Sequence, residues 1–334
     1  MPNKNMTRTK NSDLRAVLDV LHAGKSILVT SHTSPDGDAV GSLLAMGHFL
    51  RALGKDSVTC ALADPVPKTY LWLPGVQDIA APESLQAHFD VAVIIDAHQR
   101  SRIGSVSELI AEDTTLLALD HHLAESIDAP IHYVNPSYSA ACEIVVDLFD
   151  LAGLPISREA ADCAYIALIT DTGSFRYSNT NPRAHRTAAR LIEAGIDVAD
   201  ISARTFDTMA RPRFDLLSRV LQRTTVSANG LFASAQVTMA DMQETGAKGE
   251  DVDGLINYLR NIEGVQLAAL FREAEPGITK VSFRARPPVN CAEILREFGG
   301  GGHAAAAGAT LSCPMNEAVA TILSALPEHI KDRE

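Results

Sequence analysis

The chain has 334 residues, of which 46% are hydrophobic, with a formal net charge of −12 and a mean hydropathy of +0.04. This composition excludes a disordered chain, and no apolar run approaches the ~20 residues of a membrane-spanning helix. The acidic balance argues against a protein that follows long duplex nucleic acid, which requires a basic face. The five cysteines are scattered, odd in number and without a C-x-x-C pair. They predict reduced thiols in a cytoplasmic protein.

The first half of the chain alternates apolar strand patterns with amphipathic helix patterns. Strands are predicted at 26–29, 57–62, 90–96 and 116–120. Helices are predicted at 12–24, 40–54, 139–151, 159–169 and 181–195. The strands at 90–96 and 116–120 are nearly continuous apolar runs, which are typical of strands buried on both faces. We therefore expect an α/β N-terminal domain over 12–195, with a mainly parallel sheet and helices on both faces.

The pattern changes after 196–214, an interval of polar and turn residues that we interpret as a linker. Beyond it, two strand patterns flank Asn229-Gly230, which is a hairpin signal. The remaining elements are a helix at 252–262, strands at 265–272 and 279–286, a helix at 292–298, a helix-like small-residue run up to Gly308 and a last helix that ends near Ile330. These patterns predict a smaller α/β C-terminal domain over 215–334.

Polar side chains follow several of the buried strands. The first turn carries His32, Asp36 and Asp38, and the later strands end in Asp96 and in Asp120-His121-His122. Either aspartate of the first turn could simply cap the following helix. That interpretation does not explain His32, nor three strands that end in Asp or His at the same sheet edge. Mixed imidazole and carboxylate ligands suit a divalent transition metal.

Asp171 stands at the end of an apolar helix. An anion is disfavoured at a helix C-terminus because the helix dipole is negative there. A nearby cation would explain the residue, which adds Asp171 to the candidate metal ligands.

The order of these motifs resembles that of the DHH phosphoesterase superfamily, and the run from Gly299 to His303 resembles the glycine-rich signature of the DHH-associated domain. Together they are similar to the NrnA-like branch of bifunctional enzymes. Those enzymes hydrolyse short oligoribonucleotides (nanoRNA and dinucleotides such as pApA) to mononucleotides. They also convert 3′-phosphoadenosine-5′-phosphate (pAp) to AMP. The resemblance covers roughly residues 12–326.

The resemblance implies two divalent ions, with Mn²⁺ favoured and Mg²⁺ or Co²⁺ as alternatives. One ion would take His32, Asp36 and Asp96; the other would take Asp38, Asp96, His121 and Asp171. Asp120 would orient an imidazole, and His122 would contact the phosphate or the leaving group. Substrate binding in the C-terminal domain would involve Arg284, Gly300, Gly301, Gly302 and His303. Arg284 is preferred to Arg286 as the bidentate phosphate ligand.

The implied partners are short single-stranded RNA or pAp, with no duplex and no membrane. Three alternatives stay open: a phosphodiesterase for cyclic di-AMP or linear dinucleotides, a RecJ-like single-strand exonuclease, and an inactive nucleotide-binding regulator. The sequence does not rank the substrates, the end attacked or the physiological metal. A homodimer is one open alternative for the oligomeric state.

Overall fold

The computed structural model describes residues 11–123 and 126–326. The chain divides into two units, Met1–Thr208 and Met209–Glu334. The predicted end of the last helix near Ile330 lies outside the described residues. None of the described helices has the length and apolarity that a membrane crossing requires.

The first unit contains a five-stranded, all-parallel sheet with the order β2-β1-β3-β4-β5. Its strands are β1 (Ser26–Thr30), β2 (Ser57–Ala61), β3 (Val91–Ile95), β4 (Thr115–Asp120) and β5 (Ile131–Val134). The sequence patterns predict the first four. They miss β5, which has only four residues and includes His132 and Tyr133.

The two faces of this sheet are covered differently. The α-helices share one core with Val29, Val93 and Leu117. The opposite face, including Leu28 and Ile94, packs against loop residues such as Phe89 and against the 3₁₀ helix Gly104–Leu109. The predicted α/β class with a covered parallel sheet is confirmed, but on the second face the described helices are short 3₁₀ helices. The α-helices are α1 (Leu14–Ala23), α2 (Gly37–Ala52), α3 (Cys142–Leu151), α4 (Arg158–Asp171), α5 (Pro182–Glu193) and α6 (Val198–Ser202).

Two glycines let α2 approach α4 closely. A Cβ on Gly37 would lie 2.4 Å from Thr170 Oγ1, and one on Gly41 would lie 2.5 Å from the carbonyl oxygen of Cys163. Real Cβ atoms do not occupy such distances, so larger residues would push the two helices apart. The close packing places the start of α2 beside the end of α4, where Asp171 lies.

The second unit is built on a six-stranded mixed sheet with the order β10-β11-β9-β8-β7-β6, in which only β7 and β8 are parallel. Its strands are β6 (Thr225–Val226), β7 (Phe232–Val237), β8 (Leu267–Glu275), β9 (Ile278–Ala285), β10 (Gly301–His303) and β11 (Ala306–Leu311). Its helices are α7 (Arg211–Gln222), α8 (Met239–Thr245), α9 (Gly249–Val252), α10 (Ile256–Arg260), α11 (Cys291–Arg296) and α12 (Met315–Ala325).

Alternation along β9 separates two faces of this sheet. Val281, Phe283 and Ala285 point into the core formed with α11 and α12. Lys280, Ser282 and Arg284 point to the other face, because successive side chains of a strand alternate. On that same face, Ala268 and Leu270 of β8 are buried with the core that includes residues of α7 and α10.

Several local predictions differ from the structure. The interval 196–214 contains α6 and a π-helix, Ala203–Asp207, rather than only turns. The predicted helix at 252–262 is two short helices, α9 and α10. The helix-like interpretation of the run beyond His303 is wrong, because this run forms β11 and pairs with β9. The small residues fit a strand there, since Ala307 and Ala309 face the core.

Candidate metal centre

The turn between β1 and α2 positions His32 and Asp36. Asp36 is the N-cap of α2, and its Oδ1 accepts the Ala39 N–H at 3.0 Å. His32 Nδ1 donates to the Thr33 carbonyl oxygen at 2.8 Å, so Nε2 is the ring nitrogen free to bind a cation. This Nε2 lies 3.9 Å from Asp36 Oδ1 and 3.4 Å from Asp96 Oδ2. His32, Asp36 and Asp96 thus form one group of potential ligands.

Asp38 points inward, although it is also in the first turn of α2. Its Oδ1 accepts the Ser42 hydroxyl at 2.5 Å, and its Oδ2 accepts the Ala141 N–H at 2.8 Å. The simple capping interpretation therefore accounts for Asp36 in part but not for Asp38. Asp38, His121 and Asp171 form a second group of potential ligands. His121 Nε2 lies 3.4 Å from Asp38 Oδ2 and 3.7 Å from Asp171 Oδ2.

Asp96 lies between the two groups. Its Oδ2 faces His32, and its Oδ1 lies 3.4 Å from His121 Nε2. The residue is buried, and its backbone is left-handed with φ of +59°. Neither Asp96 Oδ1 nor His121 Nε2 has a hydrogen-bond partner among the described residues, although both atoms are buried.

A residue not singled out from the sequence, Asn179, holds Asp171. Its amide nitrogen donates to Asp171 Oδ2 at 3.2 Å, and it also lies 3.1 Å from the carbonyl oxygens of Asp171 and Ser139. The intervening loop turns back through left-handed Gly173, Ser174 and Phe175. Asn179 is therefore a positioning residue for Asp171.

The carboxylate of Asp120 is occupied by hydrogen bonds. Its Oδ1 accepts the N–H of His121 at 2.7 Å, the N–H of His122 at 3.0 Å and His122 Nδ1 at 2.8 Å. Its Oδ2 contacts His98 Nδ1. Asp120 therefore orients His122, whose side chain is 56% exposed. His98, which is partly buried two residues after Asp96, was not among the candidate residues of the sequence analysis.

The concentrated negative charge perturbs the protonation of the site. Burial and the Asp96 charge raise the pKa of Asp38 well above its usual value. Burial, together with the charges of Asp96 and Asp36, raises the pKa of Asp171 to about 6. For His121, burial lowers the pKa, but contact with Asp96 and the surrounding carboxylates outweigh it and raise the pKa to about 10. Without a metal ion, these groups share protons, and a divalent cation would displace those protons when it binds.

The donor set fits divalent cations. Asp96 Oδ1 and His121 Nε2 are buried 3.4 Å apart among carboxylates, and neither atom has a hydrogen bond in the described structure. An arrangement of this kind is costly unless a cation compensates it. Imidazole nitrogens mixed with carboxylate oxygens suit a divalent transition metal.

Comparison with known proteins decides the family. Residues 26–168 match the DHH family N-terminal domain, and residues 232–332 match the DHHA1 domain. A bifunctional oligoribonuclease and PAP phosphatase NrnA from Thermus thermophilus is 33% identical over 95% of this chain and 94% of its own. The chain belongs to the DHH phosphoesterase family. As a member of that family it is a phosphoester hydrolase.

Further relatives agree with this membership. The Bacillus subtilis protein of the same description is 25% identical over 86% of this chain and 89% of its own. A solved structure, described as an exopolyphosphatase-related protein from Bacteroides fragilis, superposes with a TM-score of 0.87. It is 29% identical and covers 94% of this chain and 95% of that one.

Within the DHHA1 domain, the structure brings two predicted substrate residues onto one sheet face. Arg284 of β9 and His303 of β10 lie directly opposite Ala306 of β11, one on each side. Directly opposed residues of antiparallel strands point to the same face. We call this row of directly opposed residues, Arg284, Ala306 and His303, the Arg284 row. It places the backbones of Arg284 and His303 two strand spacings apart, roughly 10 Å.

The glycine run of the DHHA1 domain has a packing role that the sequence interpretation did not weigh. The N–H groups of Gly299 and Gly300 donate within the chain, to the carbonyl oxygens of Arg296 and Leu295. A Cβ on Gly300 would lie 2.5 Å from the Gly308 carbonyl oxygen, and one on Gly302 would lie 2.5 Å from that of Ala306. Around Gly301, by contrast, no described atom lies within 4 Å of such a Cβ. Substrate binding by Gly300, Gly301 and Gly302 stays a prediction.

Proposed function

We propose that this protein hydrolyses short oligoribonucleotides to mononucleotides and pAp to AMP, with two divalent cations, preferably Mn²⁺. The observation that carries the proposal is the convergence of six ligand side chains from separate strand and helix ends. They meet around Asp96, whose two oxygens face different groups of ligands. The relatives' described activities on oligoribonucleotides and PAP supply the substrate class.

The two cations would be held by the two ligand groups described above. His32, Asp36 and Asp96 would hold one, and Asp38, Asp96, His121 and Asp171 the other. When bound, such cations lower the pKa of water and neutralise phosphoryl oxygens. The protein holds the ligands in place through the hydrogen bonds of Thr33, Ser42, Ala141 and Asn179. No serine or cysteine nucleophile is required.

His122 is suited to proton donation at the reacting phosphate. Its hydrogen bond from Nδ1 to Asp120 raises the pKa of the imidazole, although burial lowers it. The protonated ring is fixed at Nδ1, so Nε2–H is available to a phosphate oxygen or to the departing oxygen. Asp120 accepts three hydrogen bonds at one oxygen and contacts His98 with the other, which favours an orienting role for it although it lies within reach of a metal ion.

The DHHA1 domain would bind a phosphate that does not react. Arg284 offers a guanidinium for bidentate contact, and His303 shares its register row. The five free cysteines fit our placement of the protein in the reducing cytoplasm.

A direct assay tests the proposal. Purified protein with Mn²⁺ is offered pAp, RNAs of graded length, cyclic di-AMP and inorganic pyrophosphate side by side, and bound metal is counted after dialysis. Hydrolysis of pAp and of dinucleotides, with two metals per chain, is expected. Turnover confined to cyclic di-AMP or pyrophosphate would overturn the substrate assignment, and metal binding without any turnover would favour a regulator.

A further inference from the structure

The second unit carries a further pocket at the other end of β9 from Arg284. Its volume is about 600 Å³, within the range of ligand sites in general. Met239, Met242 and Ile278 give it an apolar wall, and Arg272, Lys280 and Thr310 give it a polar wall. We call it the Arg272 pocket.

The two positively charged side chains of this pocket, Arg272 and Lys280, have no acidic partner in the described structure. Arg272 and Lys280 are directly opposed across β8 and β9, and Thr310 is directly opposed to Lys280 on β11. In the described part of the chain, the side chains of Arg272 and Lys280 make neither a hydrogen bond nor an ion pair. Other arginines of the same unit differ: Arg219 and Arg223 both pair with Asp241. Two neighbouring cations left without a counter-ion favour an anionic ligand.

Acidic residues also line the pocket, but they do not neutralise these cations directly. The Glu273 carboxylate accepts the Met239 N–H at 2.9 Å, which directs it to the start of α8. Glu275 is exposed at the end of β8, where the pairing of β8 with β9 is irregular. Neither carboxylate is within ion-pair distance of Arg272 or Lys280 in the described structure.

The Arg272 pocket continues towards the Arg284 row. Lys280 and Thr310 also line an adjoining space of about 400 Å³, whose other walls include Ser282, Gly301 and Gly308. Those three residues are directly opposed to one another and lie between the Arg284 row and the row of Arg272, Lys280 and Thr310. Small side chains there leave the surface open. We call the two outer rows the cationic rows. Lys280 and Arg284 are four residues apart on one strand, or about 13 Å.

One phosphate cannot reach both cationic rows across that distance. A ligand with several phosphates can, and the apolar wall beside Arg272 adds room for a base. Met239 is 44% exposed although it is a large apolar side chain. Inorganic polyphosphate would make no use of such a wall, whereas a nucleotide would bury its base there.

We propose that the Arg272 pocket is a subsite for an additional nucleotide of a short RNA, with its phosphate on Arg272 and Lys280 and its base against Met239. The inference rests on the proposed function, because it extends the same substrate beyond the Arg284 row. It implies that RNAs long enough to cover both rows bind more tightly than dinucleotides.

Calorimetry on metal-free protein with EDTA tests this without hydrolysis. The probes are 5′-phosphorylated oligoadenylates of two and five nucleotides. Wild type should bind the longer probe more tightly. The double variant Arg272→Ala/Lys280→Ala should weaken binding of the longer probe about tenfold, because it removes charge-assisted contacts, and change the shorter one by less than about twofold.

Three further variants sharpen the test. Lys25→Ala removes the same charge from an exposed position just before β1 in the first unit and should have little effect. Lys280→Arg keeps the charge and should retain most of the affinity. Met239→Ser keeps both cations and should weaken only the longer probe. If the double variant weakened the binding of both probes equally, or of neither probe, the proposed subsite would be refuted.

Hydrolysis assays separate this inference from the proposed function. With Mn²⁺, the double variant should keep wild-type kcat/KM for pAp and lose efficiency on the five-nucleotide RNA. Length-dependent binding without any hydrolysis by wild type would refute the proposed function and leave the subsite standing. If the double variant hydrolysed both RNAs with the same length dependence as wild type, the subsite would be refuted and the proposed function would stand.

Discussion

Asp96 shows how a single residue can join two ligand groups. Its left-handed backbone, with φ of +59°, directs the carboxylate between His32 and His121. This conformation costs a residue with a Cβ roughly 1–2 kcal/mol, although Asp and Asn tolerate it better than others. Strained residues of this kind cluster at functional sites. We therefore expect the geometry of the site to depend on the backbone conformation at position 96 and its affinity for cations to depend on the charge there.

We expect Asp96→Asn to abolish turnover while the fold is retained. The amide keeps the shape and tolerates the left-handed backbone, but it removes the anion shared by both cations. Activity with Mn²⁺ should fall by at least about 10³-fold, since metal-held charge stabilisation contributes several kcal/mol. Asp96→Ala should be equally inactive and less stable than Asp96→Asn by about 1 kcal/mol. Urea unfolding and metal analysis measure both effects, and near-normal rates would refute the assignment of Asp96.

Asn179 leads to a selective prediction. Because its amide holds Asp171 but has no contact with His32 or Asp36, Asn179→Ala should weaken one cation site and spare the other. A Mn²⁺ titration of wild type should reveal two binding steps, of which one moves by about tenfold in the variant. Equal shifts of both steps would show that Asn179 acts only through general stability.

At the scale of elements, the paired strands β10 and β11 explain the glycines between α11 and β11. We expect Gly302→Ala to destabilise the protein by roughly 1–3 kcal/mol, because the new Cβ would meet the Ala306 carbonyl oxygen and the residue has φ of +142°. Gly301→Ala is the matched control and should change the free energy of unfolding by less than about 0.5 kcal/mol. Similar losses in both variants would contradict this packing role.

The capping box of α8 has a pH-dependent contribution to stability. Asp241 is buried; burial raises its pKa, but hydrogen bonds from Thr238, Arg223 and Arg219 outweigh this and lower it to about 2. The folded pKa is below the unfolded value near 3.9, so the carboxylate stabilises the fold above about pH 4 and loses this contribution as the pH falls to about 2. Asp241→Asn should therefore cost at most about 2 kcal/mol at pH 7 and progressively less below pH 4. Urea unfolding at a series of pH values measures the difference, and a pH-independent difference would show that Asp241 acts through packing.

Elements with a strong periodic pattern could be predicted from the sequence, and so could the convergence of their ends. Parallel strands end at one edge of a sheet, which is why Asp96 and the Asp120-His121-His122 run could be expected to meet. The role of His98 depends on how the loop after β3 turns, and Asn179 reaches Asp171 only through three left-handed residues. Local periodicity carries no information on such loop geometry. β11 was misread because its small residues suit either a helix or a strand until a partner strand is known.

The charge of the whole molecule predicts a preference for short single strands. At −12, with 5% aromatic residues, the chain offers few groups that could follow a long backbone. The metal ligands, the Arg284 row and the Arg272 pocket can engage only a few phosphates. Longer RNA adds repulsion and ordering cost without new contacts.

We therefore expect kcat/KM with Mn²⁺ to rise with RNA length only until both cationic rows are covered, and then to level off. RNAs of two to about twenty-five nucleotides and a blunt duplex provide the series, with equal ionic strength throughout. The duplex should be a poor substrate. Efficiency that keeps rising with length, or good cleavage of the duplex, would favour a processive exonuclease.

The packing of Gly300 and Gly302 against β11 bears on how proteins with this motif are recognised. Both glycines are required by neighbouring backbone atoms whether or not a ligand binds. A relative that had lost its catalysis would need them to the same degree in order to fold. A match to these glycines in another sequence thus indicates the architecture, whereas the proposed chemistry depends on polar residues, Arg284 and His303 in this domain and Asp96 in the first unit.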